Sequence, residues 1–119
     1  MRTRRGFTLI EVMMVTAVIA ILASLAIMKF GSAKRNAYIT AMKSDLSGMA
    51  LTAESIYSVD RTYAHVTAPV PTNGITLTFV GASEVWTARA SHEHLPGFEC
   101  VLTTDSTIGV PVTSAPYCH

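Results

Sequence analysis

From Phe7 to Met28 the chain runs for 22 residues without Lys, Arg, Asp, Gly or Pro, and a single acid, Glu11, stands at the fifth position of that run. No other stretch of the 119 residues limits the possible folds as much. As an α-helix it would measure about 33 Å, enough to cross a hydrocarbon core of roughly 30 Å. Glu11 opposes insertion. An ionised acid costs about 2.5 to 3.5 kcal/mol at mid-bilayer and less near the interface, where this position would sit. Eleven Leu, Ile, Val and Phe residues in the run act in the other direction by about 0.3 to 0.6 kcal/mol each, roughly 3 to 7 kcal/mol together. Insertion is therefore expected despite the acid.

The flanks orient the segment. Arg2, Arg4 and Arg5 precede it, which favours a cytoplasmic N-terminus with the rest of the chain outside. Lys29, Lys34 and Arg35 on the far side weaken that bias without reversing it. A cleaved secretory signal has an apolar region of about 7 to 15 residues and an A-x-A-like site; this run is longer and no such site follows it. A plain signal anchor fits the length and leaves Glu11 unexplained.

Gly6 followed by FTLIEVMMVTAVIAILASLAI resembles the class III signal and N-terminal helix of type IV pilins and pseudopilins. The features that carry the resemblance are a short basic leader ending in Gly6, then Phe7, then an apolar run with Glu11 at its fifth position. The resemblance implies that a prepilin peptidase, a membrane aspartyl protease, cuts between Gly6 and Phe7 on the cytoplasmic face and methylates the new amine of Phe7. The cut discards the arginines and frees the helix to leave the bilayer. Glu11 then has a partner in the amine of Phe7 on a neighbouring subunit, since a charge in apolar surroundings is tolerated only when paired. The competing use of Glu11 is at its own helix N-terminus, where an acid meets free amide donors and the positive end of the dipole. The sequence departs from the family at Met28 and Ala20, where a proline and a glycine are usual, so no kink is expected before residue 30.

Beyond the run, apolar residues recur at helical spacing through Tyr38, Met42, Leu46, Met49, Ala53 and Ile56, which predicts one helix from Phe7 to about Val59 with a stripe against a sheet. At about 1.5 Å per residue it would be a rod of nearly 80 Å. Gly31 and Gly48 mark flexible points within it rather than ends. AESIYSVDRTYAHV (53 to 66) resembles the helix exit of these pilins, with Tyr57 and Tyr63 packing beneath the loop that follows. VTAPVPTNG (66 to 74) reads as a loop with an Asn-Gly turn. ITLTFV (75 to 80), EVWTARAS (84 to 91) and FECVLT (98 to 103) have strand composition and turn signals between them. GASEVWTARASHEHLPGFECVL is similar to the sheet region of some short bacterial pilins.

Cys100 and Cys118 are the two cysteines. In an oxidising compartment they read as one disulfide closing a C-terminal loop; two reduced buried thiols are the alternative. The resemblance favours the bond, with the tail IGVPVTSAPYCH as an irregular loop pinned to strand residue Cys100.

Catalytic chemistry is not indicated. His92, Glu93, His94 and Glu99 lie close in sequence, with His65 and His119 elsewhere, but HEH on a turn lacks the helical spacing of a zinc protease and no Cys-x-x-Cys accompanies it. A solvated turn is expected there, with no metal, no cofactor and no enzyme activity. With 14% charged residues and a net charge of +1, a nucleic-acid surface is not expected either.

The expected fold is α+β: a long N-terminal helix packed on a small antiparallel sheet of three to four strands with a disulfide-closed C-terminal loop. Its parts are a removable leader (1–6), a hydrophobic membrane or filament-core helix (7–28), an amphipathic continuation (29–59) and a globular sheet region (60–119). The expected role is structural subunit of a type IV pilus, a homo-oligomeric helical filament. The precursor would sit in the inner membrane with its assembly machinery, and the mature form in an extracellular pilus. A minor pilin, a type II secretion pseudopilin and, more distantly, a monomeric signal-anchored binding protein are the alternatives.

Overall fold

The computed structural model describes residues 6–105 and 115–119. The leader arginines Arg2, Arg4 and Arg5, and most of the expected C-terminal loop, lie outside the described residues. One helix, α1 (Leu9–Asp60), precedes four strands: β1 (Ile75–Gly81), β2 (Trp86–His92), β3 (Glu99–Thr103) and β4 (Tyr117–Cys118). The chain divides into two compact units between Lys34 and Arg35.

In the first unit the helix begins at Leu9 rather than at Phe7, because Thr8 takes the position that caps it. Ala20, Met28 and Gly31 are all helical, in keeping with the absence of a proline or an early glycine in the run. Every large apolar side chain from Phe7 to Phe30 is exposed. The hydroxyls among them turn back on their own helix: Thr16 donates to the Met13 carbonyl at 3.0 Å, Ser24 to Ile21 at 2.7 Å and Ser32 to Lys29 at 3.0 Å. Such bonds satisfy the donor without a partner from outside.

In the second unit the helix buries Met42, Leu46, Met49 and Ala53, the centre of the expected stripe, with Tyr38 and Ile56 half-buried at its ends. These four join one core with Tyr63, Ile75, Trp86, Ala88, Ala90, Cys100 and Leu102. Inward residues of β2 follow the period of two, Trp86, Ala88, Ala90 and His92. Ala88 and Ala90 leave room on the sheet for the methionines and leucine of α1. The helix ends where Arg61 takes a left-handed φ of 55° and its N–H bonds the Tyr57 carbonyl at 2.9 Å.

The sheet has the order β1-β2-β3-β4, all neighbours antiparallel. β2 starts at Trp86, two residues later than its composition indicates, because Ala82 and Val85 close a tight hairpin with a 2.8 Å N–H···O bond. Beside it, the Tyr63 N–H donates to the Ala82 carbonyl at 3.0 Å. A Cβ on Gly81 would collide with the Tyr63 carbonyl oxygen, so only glycine allows that approach. The expected Asn-Gly turn before β1 is present, with Gly74 at a φ of 81°. The Asp45 carboxylate holds it to the helix by accepting the Thr72 N–H at 2.7 Å and hydroxyl at 2.9 Å.

The end of the tail differs from the expected irregular loop, for Tyr117 and Cys118 form a fourth strand on Val101 and Cys100. Glu99 and His119 exchange two backbone bonds of 3.0 Å next to this pair, which makes Cys100 and Cys118 a close, non-hydrogen-bonded pair of the ladder. Their Cα atoms are 4.0 Å apart and their sulfurs are bonded.

Candidate functional site

The geometry at the start of α1 is set by two residues. Gly6, Phe7 and Thr8 are non-helical. The Thr8 carbonyl accepts the Val12 N–H at 3.3 Å, and its hydroxyl accepts the Glu11 N–H at 3.3 Å. In return, Glu11 Oε2 accepts the Thr8 N–H and the Thr8 hydroxyl, each at 3.1 Å. This is a reciprocal capping box, which satisfies orphan amides of the first turn and places a carboxylate at the positive end of the dipole. Both bonds to the carboxylate fall on Oε2. Phe7 projects freely, and nothing lies within 4 Å of a Cβ built on Gly6. Among the described residues the Gly6–Phe7 bond is thus open backbone just ahead of a fixed helix start, and the box is made by Thr8 and Glu11.

The description "Prokaryotic N-terminal methylation motif" matches residues 1–27. These residues are a class III signal, the type found on type IV pilins and pseudopilins. No curated protein and no solved structure matches the chain. The signal contains the basic leader, Gly6, Phe7, Glu11 and most of the exposed apolar run. Its helix, Leu9–Asp60, is long and apolar enough to cross a membrane, and none of its most apolar window is buried. These two facts together fit a membrane-anchored precursor.

Within this signal, Thr8 is the residue that the reading of the sequence passed over. Its spacing from Glu11, a threonine three residues ahead of an acid and just before an apolar run, was the available indication. Glu11 in the single chain is used by its own N-terminus, the second of the two uses considered for it.

The remaining candidates do not converge. His92 is buried, not solvated: its ring stacks on Tyr38 at 4.1 Å and its Nδ1 accepts the His94 N–H at 3.1 Å. Extending the β2 alternation by one step places it inward, which overrides the turn-like look of HEH. His94 is exposed, with Nδ1 3.4 Å from Glu93. Glu99 lies on β3, where it accepts the Arg89 guanidinium at 2.7 Å and is 3.7 Å from His119 Nε2. His65 faces Asp60 at 3.8 Å. Among the described residues no group of three His, Cys, Asp or Glu is placed to hold a metal ion.

Tyr57 and Tyr63 stack on each other at 4.4 Å. The Tyr63 hydroxyl donates to Glu54 Oε1 at 3.0 Å. Burial pushes its pKa up to about 12, with the hydrogen bond and negative charge of Glu54 adding to the effect.

Proposed function

We propose that this chain is the structural subunit of a type IV pilus-like filament. The single observation that carries the reading is a class III signal on a helix whose large apolar side chains are all exposed from Phe7 to Phe30. A surface of that extent is stable only in lipid or against other protein. In this reading the prepilin peptidase cuts after Gly6 and methylates Phe7, and the inner-membrane machinery moves the helix from bilayer to polymer. Head-to-tail contacts that do not close then extend the filament outside the cell. The chain is a substrate of this chemistry and performs none itself.

Glu11 has two tasks here. Oε2 keeps the capping box, while the remaining acceptor capacity of the carboxylate takes the methylated amine of an adjacent subunit. The pair fixes the axial register of neighbouring helices, because an unpaired charge among apolar helices costs several kcal/mol.

Two substitutions separate the tasks. Glutamine also serves in a capping box, so Glu11→Gln keeps the helix start and removes the charge. Thr8→Ala weakens the cap, by about 0.5 to 2 kcal/mol, and keeps the charge. Sheared surface filaments are then quantified and their subunit mass measured. The expected result is a subunit lacking residues 1–6, carrying one methyl group and an intact Cys100–Cys118 bond, with filaments abundant in Thr8→Ala and scarce in Glu11→Gln. Filaments retaining Met1 would overturn the scheme. Normal filaments from Glu11→Gln would leave Glu11 with capping alone.

A further inference from the structure

Lys29 and Lys34 are the first cations after the apolar run. Both are exposed. Neither has an ion pair or other electrostatic partner among the described residues. The acid nearest to them in the first unit is Glu11, 18 residues from Lys29, about 27 Å along the helix. That distance approximates the thickness of a hydrocarbon core, roughly 30 Å. With Glu11 at one boundary, Lys29 therefore reaches the other, and Lys34 lies about 7 to 8 Å further on, within the headgroup layer. Around the helix axis the two lysines are separated by about 140°, so they serve different lipids. Arg35 is otherwise engaged, with its guanidinium 5.2 Å from the centre of the Phe98 ring.

We propose that Lys29 and Lys34 form a binding surface for the phosphate groups of anionic phospholipids in the leaflet through which the helix leaves the membrane. The proposal rests on the reading that the run spans the bilayer. Charge complementarity selects this occupant: at the depth of the lysines the phosphates are the anions at hand, and flexible ammonium stems reach them by snorkelling. Before the cut, the arginines of the leader anchor the opposite end. After it, the lysines are the cationic side chains left next to the run, so processing shifts the side-chain hold on the membrane from one leaflet to the other.

The test uses the full-length chain and the chain lacking residues 1–6, each in phosphatidylcholine vesicles doped with spin-labelled phosphatidylglycerol or phosphatidylcholine. The lipid immobilised at the protein surface is read by electron paramagnetic resonance. Both forms are expected to prefer phosphatidylglycerol, and added salt should reduce the preference. In the chain lacking residues 1–6, Lys29→Gln and Lys34→Gln should each lower it by up to about fivefold, and the double substitution should remove most of it, whereas the full-length double variant keeps the share due to the leader arginines. Lys→Arg at both sites should keep the preference. A processed chain without preference, or a processed double variant that retains the full preference, overturns the lipid surface while leaving the spanning reading in place. A chain stripped from the vesicles by alkaline carbonate overturns the spanning reading on which the surface rests.

Discussion

Tyr63 shows how much one side chain can do in a small core. It is buried, stacks on Tyr57, lies at an angle to Trp86 and donates to Glu54. Its carbonyl also occupies the space that a side chain at position 81 would need. Its pKa of about 12 lies above the ordinary value of 10.0, so between those two pH values the folded chain holds a proton that the unfolded chain has released. The contribution of Tyr63 to stability is therefore fully present below pH 10 and lost as pH rises toward 12. Denaturant unfolding of the detergent-solubilised chain, followed through Trp86, the single tryptophan, should show this decline. Tyr63→Phe should flatten that part of the profile, and an unchanged slope would mean that another group sets it.

At the scale of elements, what could be read from the sequence follows the strength of each repeating pattern. The 22-residue run and the stripe Met42, Leu46, Met49 and Ala53 persist over many turns, so both halves of α1 were legible. The three longer strands were legible from β-branched composition between turn residues, with boundaries shifted by two residues at the Ala82–Val85 hairpin and by one at the end of β1, the end of β2 and the start of β3. β4 was not legible, since two residues show no alternation and their pairing comes from the bond between Cys100 and Cys118. The inward turn of His92 and the cap at Thr8 depend on a single position each, where a local pattern had to be extended by one more step.

The disulfide belongs to the same scale, because it holds β4 to β3. It closes a loop with a sequence separation of 18. In the chain-entropy account such a closure is worth about 3 kcal/mol. Cys100→Ser with Cys118→Ser should lower the stability of the sheet unit by about that amount, measured by the same unfolding experiment. A loss under about 1 kcal/mol would show that the unfolded chain is little constrained by the bond. Because Cys100 is buried in the core and Cys118 is only partly so, reductant should reach the bond from the β4 side.

For the whole molecule, the proposed cut alters electrostatics more than structure. The precursor has a formal charge of +1; without residues 1–6, six Lys and Arg face eight Asp and Glu, a side-chain charge of −2. The surface form should therefore focus at a lower pH than the precursor, whose isoelectric point is about 7.8. Focusing at the precursor's position would mean that the leader is still attached.

The back-bonded hydroxyls of Thr16 and Ser24, with the closed box at Thr8 and Glu11, have a further consequence. Every hydroxyl of the apolar run donates within its own helix, so exchanging one apolar environment for another makes and breaks none of these hydrogen bonds. Apart from the charge on Glu11, such an exchange is decided by how well side chains pack. In the proposed filament, the balance between lipid and polymer then turns on side-chain packing and on the pairing of Glu11, and not on these hydroxyls.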